Sequence, residues 1–394
     1  MKKIAEDLYY VGINDRRKLK FEDMWPLPKG ITYNSYLIKD EKTALFDTME
    51  ISFSDLFLRK VAEVLDGRTL DYVIVDHMEP DHAGSIRLLR QYYPDVQIVG
   101  NKKSFDMLKG FHNIDTGLKL VGEGDTLSLG RHNLTFYMAP MVHWPEVMVA
   151  YDSFNKSLFS ADAFGSFGAI DGGVVDEEMN TDFYWDEMER YYSNIIGKYG
   201  AQVQRALSKI KKLDLKMICS THGPVWKKHL NRAMEVYDRL SRYEAKEGVV
   251  ILYASMYGHT EQLAETIAQN LAEAGVKNVV MHCVSNTSAS YILRDIFHYK
   301  GLIVGSPTYC NDIHPDIESI LSKIKIRGIK NRTFGYFSTF SWANAAEKKL
   351  DVFAKEMKWA VVSEPVQQRQ NITKDSHPGC KILAEAMAKK LTEE

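Results

Sequence analysis

The stretch His77-Met78-Glu79-Pro80-Asp81-His82 puts four potential metal ligands into six residues, directly after the apolar run Tyr72-Val73-Ile74-Val75. Such a run reads as a buried strand, and a loop leaving a strand end can aim several side chains at one point. The mixture of donors matters more than their number. Imidazole with carboxylate suits iron, whereas thiolates would favour zinc or an iron–sulfur cluster. Three later residues share the same placement: His143 in Val142-His143-Trp144-Pro145, Asp162 in Phe159-Ser160-Ala161-Asp162, and His222 in Ser220-Thr221-His222-Gly223-Pro224. Each lies just beyond a hydrophobic run, and strand ends at one sheet edge can converge.

A lone histidine is ordinarily packed or solvent-facing, so His112, His132, His229, His282 and His298 are read as structural. Seven donors in this order reverse that reading and favour metal. Trp144 is read as packing beside the site.

At 394 residues the chain exceeds one ordinary core, and roughly 150 residues per domain predicts two or three domains. The net charge of -2 gives no electrostatic reason to expect a nucleic-acid or membrane partner. The short run Lys209–Lys212, interrupted by Ile210, reads as a solvated helix face. No apolar run reaches the roughly 18 residues that span a bilayer, and residues 1–7 lack the apolar stretch of a signal peptide. The cysteines (Cys219, Cys283, Cys310 and Cys380) are scattered, with no C-x-x-C pair. Neither a disulfide framework nor a rubredoxin-type site is expected, and the expected location is the cytoplasm.

The two halves differ in grammar. In the second, strands are expected at Val249–Ala254, Val279–Val284, Leu302–Val304, Thr333–Phe337 and Trp359–Val362. Helices fall between them, with a last one from about Cys380. Five strands alternating with helices predict a doubly wound parallel sheet. The first half is less regular. Strands at Thr32–Ile38 and Thr43–Asp47, helices near Asp55–Leu65 and Ser85–Tyr92, and one long helix over Phe183–Ile210 predict two sheets flanked by helices. Glu244–Gly248 reads as the junction, giving domains 1–246 and 247–394.

Between the first strand and helix of the second domain stands Ser255-Met256-Tyr257-Gly258-His259-Thr260. Small and hydroxylated residues there let backbone N–H groups surround a phosphate at a helix N-terminus. The stretch is neither G-x-G-x-x-G nor a Walker loop, and looks like the phosphate loop of flavodoxins. Two more loops, Gly305-Ser306-Pro307-Thr308-Tyr309-Cys310-Asn311 and Phe337-Ser338-Thr339-Phe340-Ser341-Trp342, lie at carboxyl ends of strands, where doubly wound folds hold ligands. Cys310 is read as loop packing.

The whole chain resembles the flavodiiron proteins: a metallo-β-lactamase-like αββα sandwich followed by a flavodoxin-like five-stranded sheet. The zinc hydrolases of the lactamase superfold carry H-x-H-x-D-H, and here the second histidine is Glu79. The segment Leu158–Gly165 and Thr221-His222-Gly223-Pro224 match in order. The resemblance implies that His77, Glu79 and His143 bind one iron and Asp81, His82 and His222 the other, with Asp162 bridging. It implies FMN held by residues 255–260, by Ser306, Pro307, Thr308, Tyr309 and Asn311, and by Ser338, Thr339, Phe340, Ser341 and Trp342. Ser338 and Ser341 stand where relatives often have glycine. The implied activity is an oxidoreductase that passes electrons from FMN to a non-haem diiron centre, reducing O2 to water or NO to N2O. The implied assembly is a head-to-tail homodimer or dimer of dimers, fed by a rubredoxin, another flavoprotein or coenzyme F420. Two rival readings are a dinuclear zinc hydrolase fused to a flavodoxin domain, against which Glu79 argues, and a non-enzymatic electron carrier whose metal only stabilises the fold.

Overall fold

The computed structural model describes residues 1–372 and 377–393. The chain divides into two compact units, Met1–Ser241 and Arg242–Glu394, a few residues before the junction expected from sequence.

In the first unit, one sheet runs in the order Lys2–Ala5, Leu8–Tyr10, Tyr36–Lys39, Thr43–Phe46, Tyr72–Ile74, Gln97–Gly100 and Leu118–Leu120. The second runs Thr126–Ser128, Asn133–Met138, Met148–Asp152, Ser157–Phe159 and Met217–Cys219. Their inner faces share one core, in which Leu8, Tyr36, Phe46, Ile74 and Val99 of the first sheet pack with Leu127, Phe136, Met148, Ala150 and Phe159 of the second. Phe46 stacks on Phe159 with ring centroids 3.5 Å apart. Alternate residues of each strand face this shared core, and strands such as Thr43–Phe46, Ser157–Phe159 and Met217–Cys219 are buried on both faces.

Three expectations for this unit need correction. The strand read as Thr32–Ile38 is two strands, Ile31–Tyr33 and Tyr36–Lys39. Between them the Asn34 side chain donates to the carbonyls of Ser220 and Gly223, and the Ser35 hydroxyl donates to that of Asp47. The long helix read over Phe183–Ile210 is an α-helix at Asp182–Tyr191, a π turn at Tyr192–Ile196, a short 3-10 turn at Gly197–Tyr199, and a second α-helix at Gly200–Ile210. Ser193 and Asn194 donate their side chains to the Arg190 carbonyl, competing with the regular ladder, and Gly197 and Gly200 weaken helix continuity. Finally, the stretch expected to be one strand through Val75 stops at Ile74, so His77 is three residues past its end.

The second unit is a parallel sheet in the order Val279–Cys283, Lys246–Tyr253, Tyr299–Tyr309, Thr333–Phe340, Ala360–Val361, with helices at His259–Glu273, Ala289–His298, Pro315–Arg327, Ala345–Met357 and His377–Thr392. The fifth strand is broken. Ala360–Val361 pairs with the start of Thr333–Phe340, and Val366–Arg369 pairs with its end, so the expected Trp359–Val362 caught only the first piece. Pro365, which has no N–H to give to a ladder, lies in the gap. The two segments read as flavin loops are largely strand. Ser306 pairs with Ser338 and Pro307 with Thr339, sheet pairing having overridden the loop-like composition. Only Cys310 and Asn311, both at positive φ, turn the chain into the short antiparallel return Asp312–Ile313.

Candidate metal centre and flavin site

The seven expected ligands come together because four strand ends open at one edge. Ser157–Phe159 and Met217–Cys219 are parallel and in register, Phe159 facing Cys219, and each is followed three residues later by a donor, Asp162 and His222. In the other sheet Phe46 faces Ile74 in parallel, and His77 follows Ile74 at the same interval. The next strand end, after Asn133–Met138, carries His143. Glu79 caps a single helical turn, Pro80–Ala83, which presents Asp81 and His82. Gly223 is required beside His222: its φ is +75°, and a Cβ there would sit 2.1 Å from the Ser166 hydroxyl.

Two donor groups result, His77, Glu79, His143 and Asp162, and Asp81, His82 and His222. All seven residues are buried. Asp162 stands between the groups. Its Oδ2 is 3.1 Å from His143 Nε2 and 3.6 Å from His77 Nε2, and its Oδ1 is 3.0 Å from His82 Nε2 and 3.5 Å from His222 Nε2. Glu79 Oε2 closes the first group, 3.3 Å from His77 Nε2 and 3.1 Å from His143 Nε2. Asp81 closes the second, 3.3 Å from His82 and 3.4 Å from His222.

The test of fit is which polar atoms lack partners. Both Asp81 oxygens, Asp162 Oδ2, His82 Nε2 and His222 Nε2 are buried without a hydrogen bond, although buried polar atoms are nearly always satisfied. A pair of cations between the groups would satisfy them all. The outward nitrogens of two imidazoles are already engaged: Nδ1 of His222 meets the Thr32 carbonyl at 2.6 Å, and Nδ1 of His77 meets Glu146 at 2.8 Å. Their Nε2 lone pairs are thereby turned inward.

Electrostatics agree. Burial opposes charge on the imidazoles, but the carboxylates outweigh it. Asp162 with Glu146 and Glu79 pushes His77 up to about 10, Asp81 with Asp162 pushes His82 up to about 9, and Asp162 with Glu79 pushes His143 up to about 10. Burial likewise opposes ionisation of Glu79 and Asp162, yet the surrounding histidines hold both carboxyls well below their usual range. The site is a nest of fixed negative charge that collects cations, protons included.

Several contributors escaped the sequence reading. Asp47 Oδ1 accepts the backbone N–H groups of Asp76 and His77, fixing the start of the hexad, and burial pushes its carboxyl up to about 6. Thr48 donates its hydroxyl and its N–H to the His82 carbonyl. The wall beside His222 is aromatic: Phe21, Tyr33 and Tyr191 lie with ring centroids 5.5, 6.1 and 5.5 Å from the imidazole. Glu22 feels the charges of Glu79, His143 and Asp162, and burial with Glu79 raises its pKa. A carboxylate directly after a hydrophobic strand, as in Phe46-Asp47-Thr48, was the one local signal, though it does not name what the carboxylate binds. Trp144 packs edge-on against His77 at 5.3 Å. His132 and His282 sit against Asp152 and Asp295, at 2.9 and 2.8 Å.

In the second unit a cavity of about 440 Å³ is lined by Met256, Tyr257, His259, Thr260, Pro307, Thr308, Tyr309, Asn311, Thr339, Phe340, Ser341 and Trp342 from the expected set, together with Cys310, Ala343 and Gln370. Cys310, read as loop packing, is exposed and faces this cavity. The other expected residues stand behind it. The Ser255 hydroxyl accepts from the Gly258 and Glu261 N–H groups, shaping the turn. Gly258, at φ +89°, precedes the helix His259–Glu273 and provides its N-terminus. Ser306 and Ser338 are buried in the sheet. The Thr260 and Thr339 hydroxyls are 2.7 Å apart, and Thr308 accepts from the N–H groups of Ala345 and Ala346. Trp342 is 92% and Tyr257 84% exposed. A phosphate at the helix N-terminus and a flat ring against these aromatics would occupy the cavity, so the residues fit a flavin mononucleotide.

Residues 31–223 match the ODP family beta lactamase model, and residues 251–379 match the flavodoxin model. A two-domain protein of this make, with a histidine–carboxylate cluster in the lactamase-like unit, is of the flavodiiron class. The chain is 32% identical to a nitric oxide reductase of Moorella thermoacetica, over 92% of its own length and 91% of that protein. It superposes on the solved rubredoxin oxygen:oxidoreductase of Desulfovibrio gigas with a TM-score of 0.94 at 30% identity, covering 99% and 98% of the two chains. A histidine variant of the flavo di-iron protein of Thermotoga maritima gives a TM-score of 0.91 at 26% identity, with coverage of 99% and 98%. The chain belongs to the flavodiiron protein family.

Proposed function

We infer that this chain is a flavodiiron oxidoreductase that reduces O2 to water or NO to N2O. The observation that carries the reading is Asp162, whose two oxygens face two separate histidine groups at 3.0 to 3.6 Å. When bound, FMN accepts and relays electrons, and the iron pair supplies the positions at which the diatomic gas is reduced. The relatives named for an activity, a nitric oxide reductase, a rubredoxin-oxygen oxidoreductase and a flavorubredoxin among them, support this reading and not the hydrolase alternative.

The protein's own part is positional. His77, Glu79 and His143 hold one metal and Asp81, His82 and His222 the other. Glu79, Asp81 and Asp162 contribute three negative charges, which stabilise the ferric state more than neutral imidazoles in their place would. Phe21, Tyr33, Tyr191 and Trp144 give the site an apolar surround that limits water. In the second unit the N-terminus of His259–Glu273 would hold the phosphate of a bound FMN, and Tyr309, Phe340 and Trp342, which line the same cavity, would hold its ring. Replacing Trp342 by alanine is expected to raise the FMN dissociation constant about tenfold, since aromatic stacking is worth about 1–3 kcal/mol. Flavin fluorescence titration reads this, and the iron content stays unchanged.

The donor is an external electron carrier of the rubredoxin kind. We assign the chain to the cytoplasm and to a head-to-tail homodimer, in which the flavin of one copy serves the metal pair of the next. Among the described residues no helix is long and apolar enough to cross a membrane. Anaerobic reduction of the loaded protein, followed by a pulse of O2 or NO, tests the function. Rapid multi-electron reoxidation with water or N2O as product supports it, and slow reoxidation without turnover overturns it in favour of a carrier.

A further inference from the structure

The two donor groups are not electronically equal, and the difference lies outside the seven ligands. Glu146 is buried, and its Oε1 accepts two hydrogen bonds, from His77 Nδ1 at 2.8 Å and from the Met78 N–H at 2.9 Å. Its backbone is tied down where Asn101 donates to the Glu146 carbonyl. In the other group, Nδ1 of His222 meets a neutral acceptor, the Thr32 carbonyl, and the buried Asp47 carboxylate, which acts on both His82 and His77, does not set one group apart. Both hydrogen bonds orient an imidazole, but of the two acceptors only Glu146 is charged, and a carboxylate bonded behind a ligand histidine raises its basicity. A second, independent contact works in the same direction. The Thr221 hydroxyl donates at 2.6 Å to Asp162 Oδ1, the oxygen facing His82 and His222. Asp162 Oδ2, facing His77 and His143, has no hydrogen-bond partner. The donated proton withdraws electron density from one end of the bridging carboxylate and leaves the other end the stronger donor.

We propose that Glu146 and Thr221 are positioning residues that split the metal pair, making the iron held by His77, Glu79 and His143 the harder of the two to reduce. The two irons therefore accept electrons in a fixed order, the one beside His82 and His222 first. This rests on the diiron reading of the site.

Glu146→Gln isolates the charge. With its amide oxygen in the place of Oε1, glutamine keeps both hydrogen bonds, and its NH2 group replaces Oε2, which has no partner. Thr221→Val removes the opposing donor. Iron and FMN are assayed first, and the two one-electron midpoints of the metal pair are then titrated spectroscopically. Glu146→Gln is expected to raise the lower midpoint by about 59 mV, a tenfold change in that iron's ferric-to-ferrous ratio, with a smaller effect on the upper. Thr221→Val is expected to lower the upper midpoint. The opposite signs are what a merely structural role would not produce. If Glu146→Gln loses iron, Thr221→Val decides alone. Unchanged midpoints with both irons in place overturn the proposal, whereas a parent protein without two irons overturns the diiron reading itself.

Discussion

Replacing Asp162 by asparagine is expected to empty both metal positions at once while leaving FMN bound. Among the described residues, this carboxylate is the one within reach of all four histidines in the two groups: 3.1 Å from His143 and 3.6 Å from His77 through one oxygen, 3.0 Å from His82 and 3.5 Å from His222 through the other. Asparagine keeps the shape but has one oxygen, and its NH2 group would confront imidazole nitrogens on one side. It also removes a negative charge that holds two cations close together. Losing an outer hydrogen-bond partner of a ligand costs about 10–100-fold in affinity or activity. Loss of a shared ligand is expected to exceed that, with iron falling from two per chain to well under one and gas reduction dropping by more than about 100-fold. Iron assay and flavin absorbance on one sample check it. Retention of both irons would remove Asp162 from the bridging role.

The second large effect is expected from Glu79→His, which restores the histidine of the zinc hydrolases. Glu79 Oε2 lies 3.3 and 3.1 Å from the Nε2 atoms of His77 and His143, so a third imidazole would complete a neutral set at that position. The carboxylate count falls from three to two, which disfavours the ferric state and moves the donor set toward zinc, for which imidazole is well suited. The expected result is at least tenfold weaker iron retention, zinc in its place when both metals are supplied, and unchanged FMN. Elemental analysis after growth in mixed metals checks it. Simultaneous loss of flavin would contradict two independently built sites.

The hexad was legible because a strand followed by a donor-rich turn is a local pattern. His143, Asp162 and His222 were legible for the same reason, each lying a few residues past an apolar run. The supporting residues were not, because their roles depend on what the fold brings near. Thr32 looks like any strand residue until His222, 190 positions away, meets its carbonyl. Glu146 follows directly on His143-Trp144-Pro145, yet nothing local marks it as the partner of His77. Asp47 stands at the end of a predicted strand, which marks it as a carboxylate at a strand end but not as the acceptor for the backbone of residues 76 and 77.

The flavin unit shows the same division. The turn at Ser255–Thr260 announced itself by composition. The stretches at Ser306–Thr308 and Ser338–Phe340 also read as loops, because serine, threonine and proline favour turns. Their pairing across parallel strands made them sheet instead. Cys310 reads from sequence as loop packing, and the positive φ at Cys310 and Asn311 turns the chain so that this residue lines the cavity. The break in the long helix had a local cause in Ser193, Asn194, Gly197 and Gly200, but apolar periodicity continued through it.

The most direct measurement is anomalous diffraction from crystals of the intact chain, collected on either side of the iron and zinc absorption edges. Two iron peaks, one on each side of the Asp162 carboxylate and within bonding distance of the assigned ligands, are the expected result. Zinc at both positions, or no metal between the two histidine groups, would contradict it.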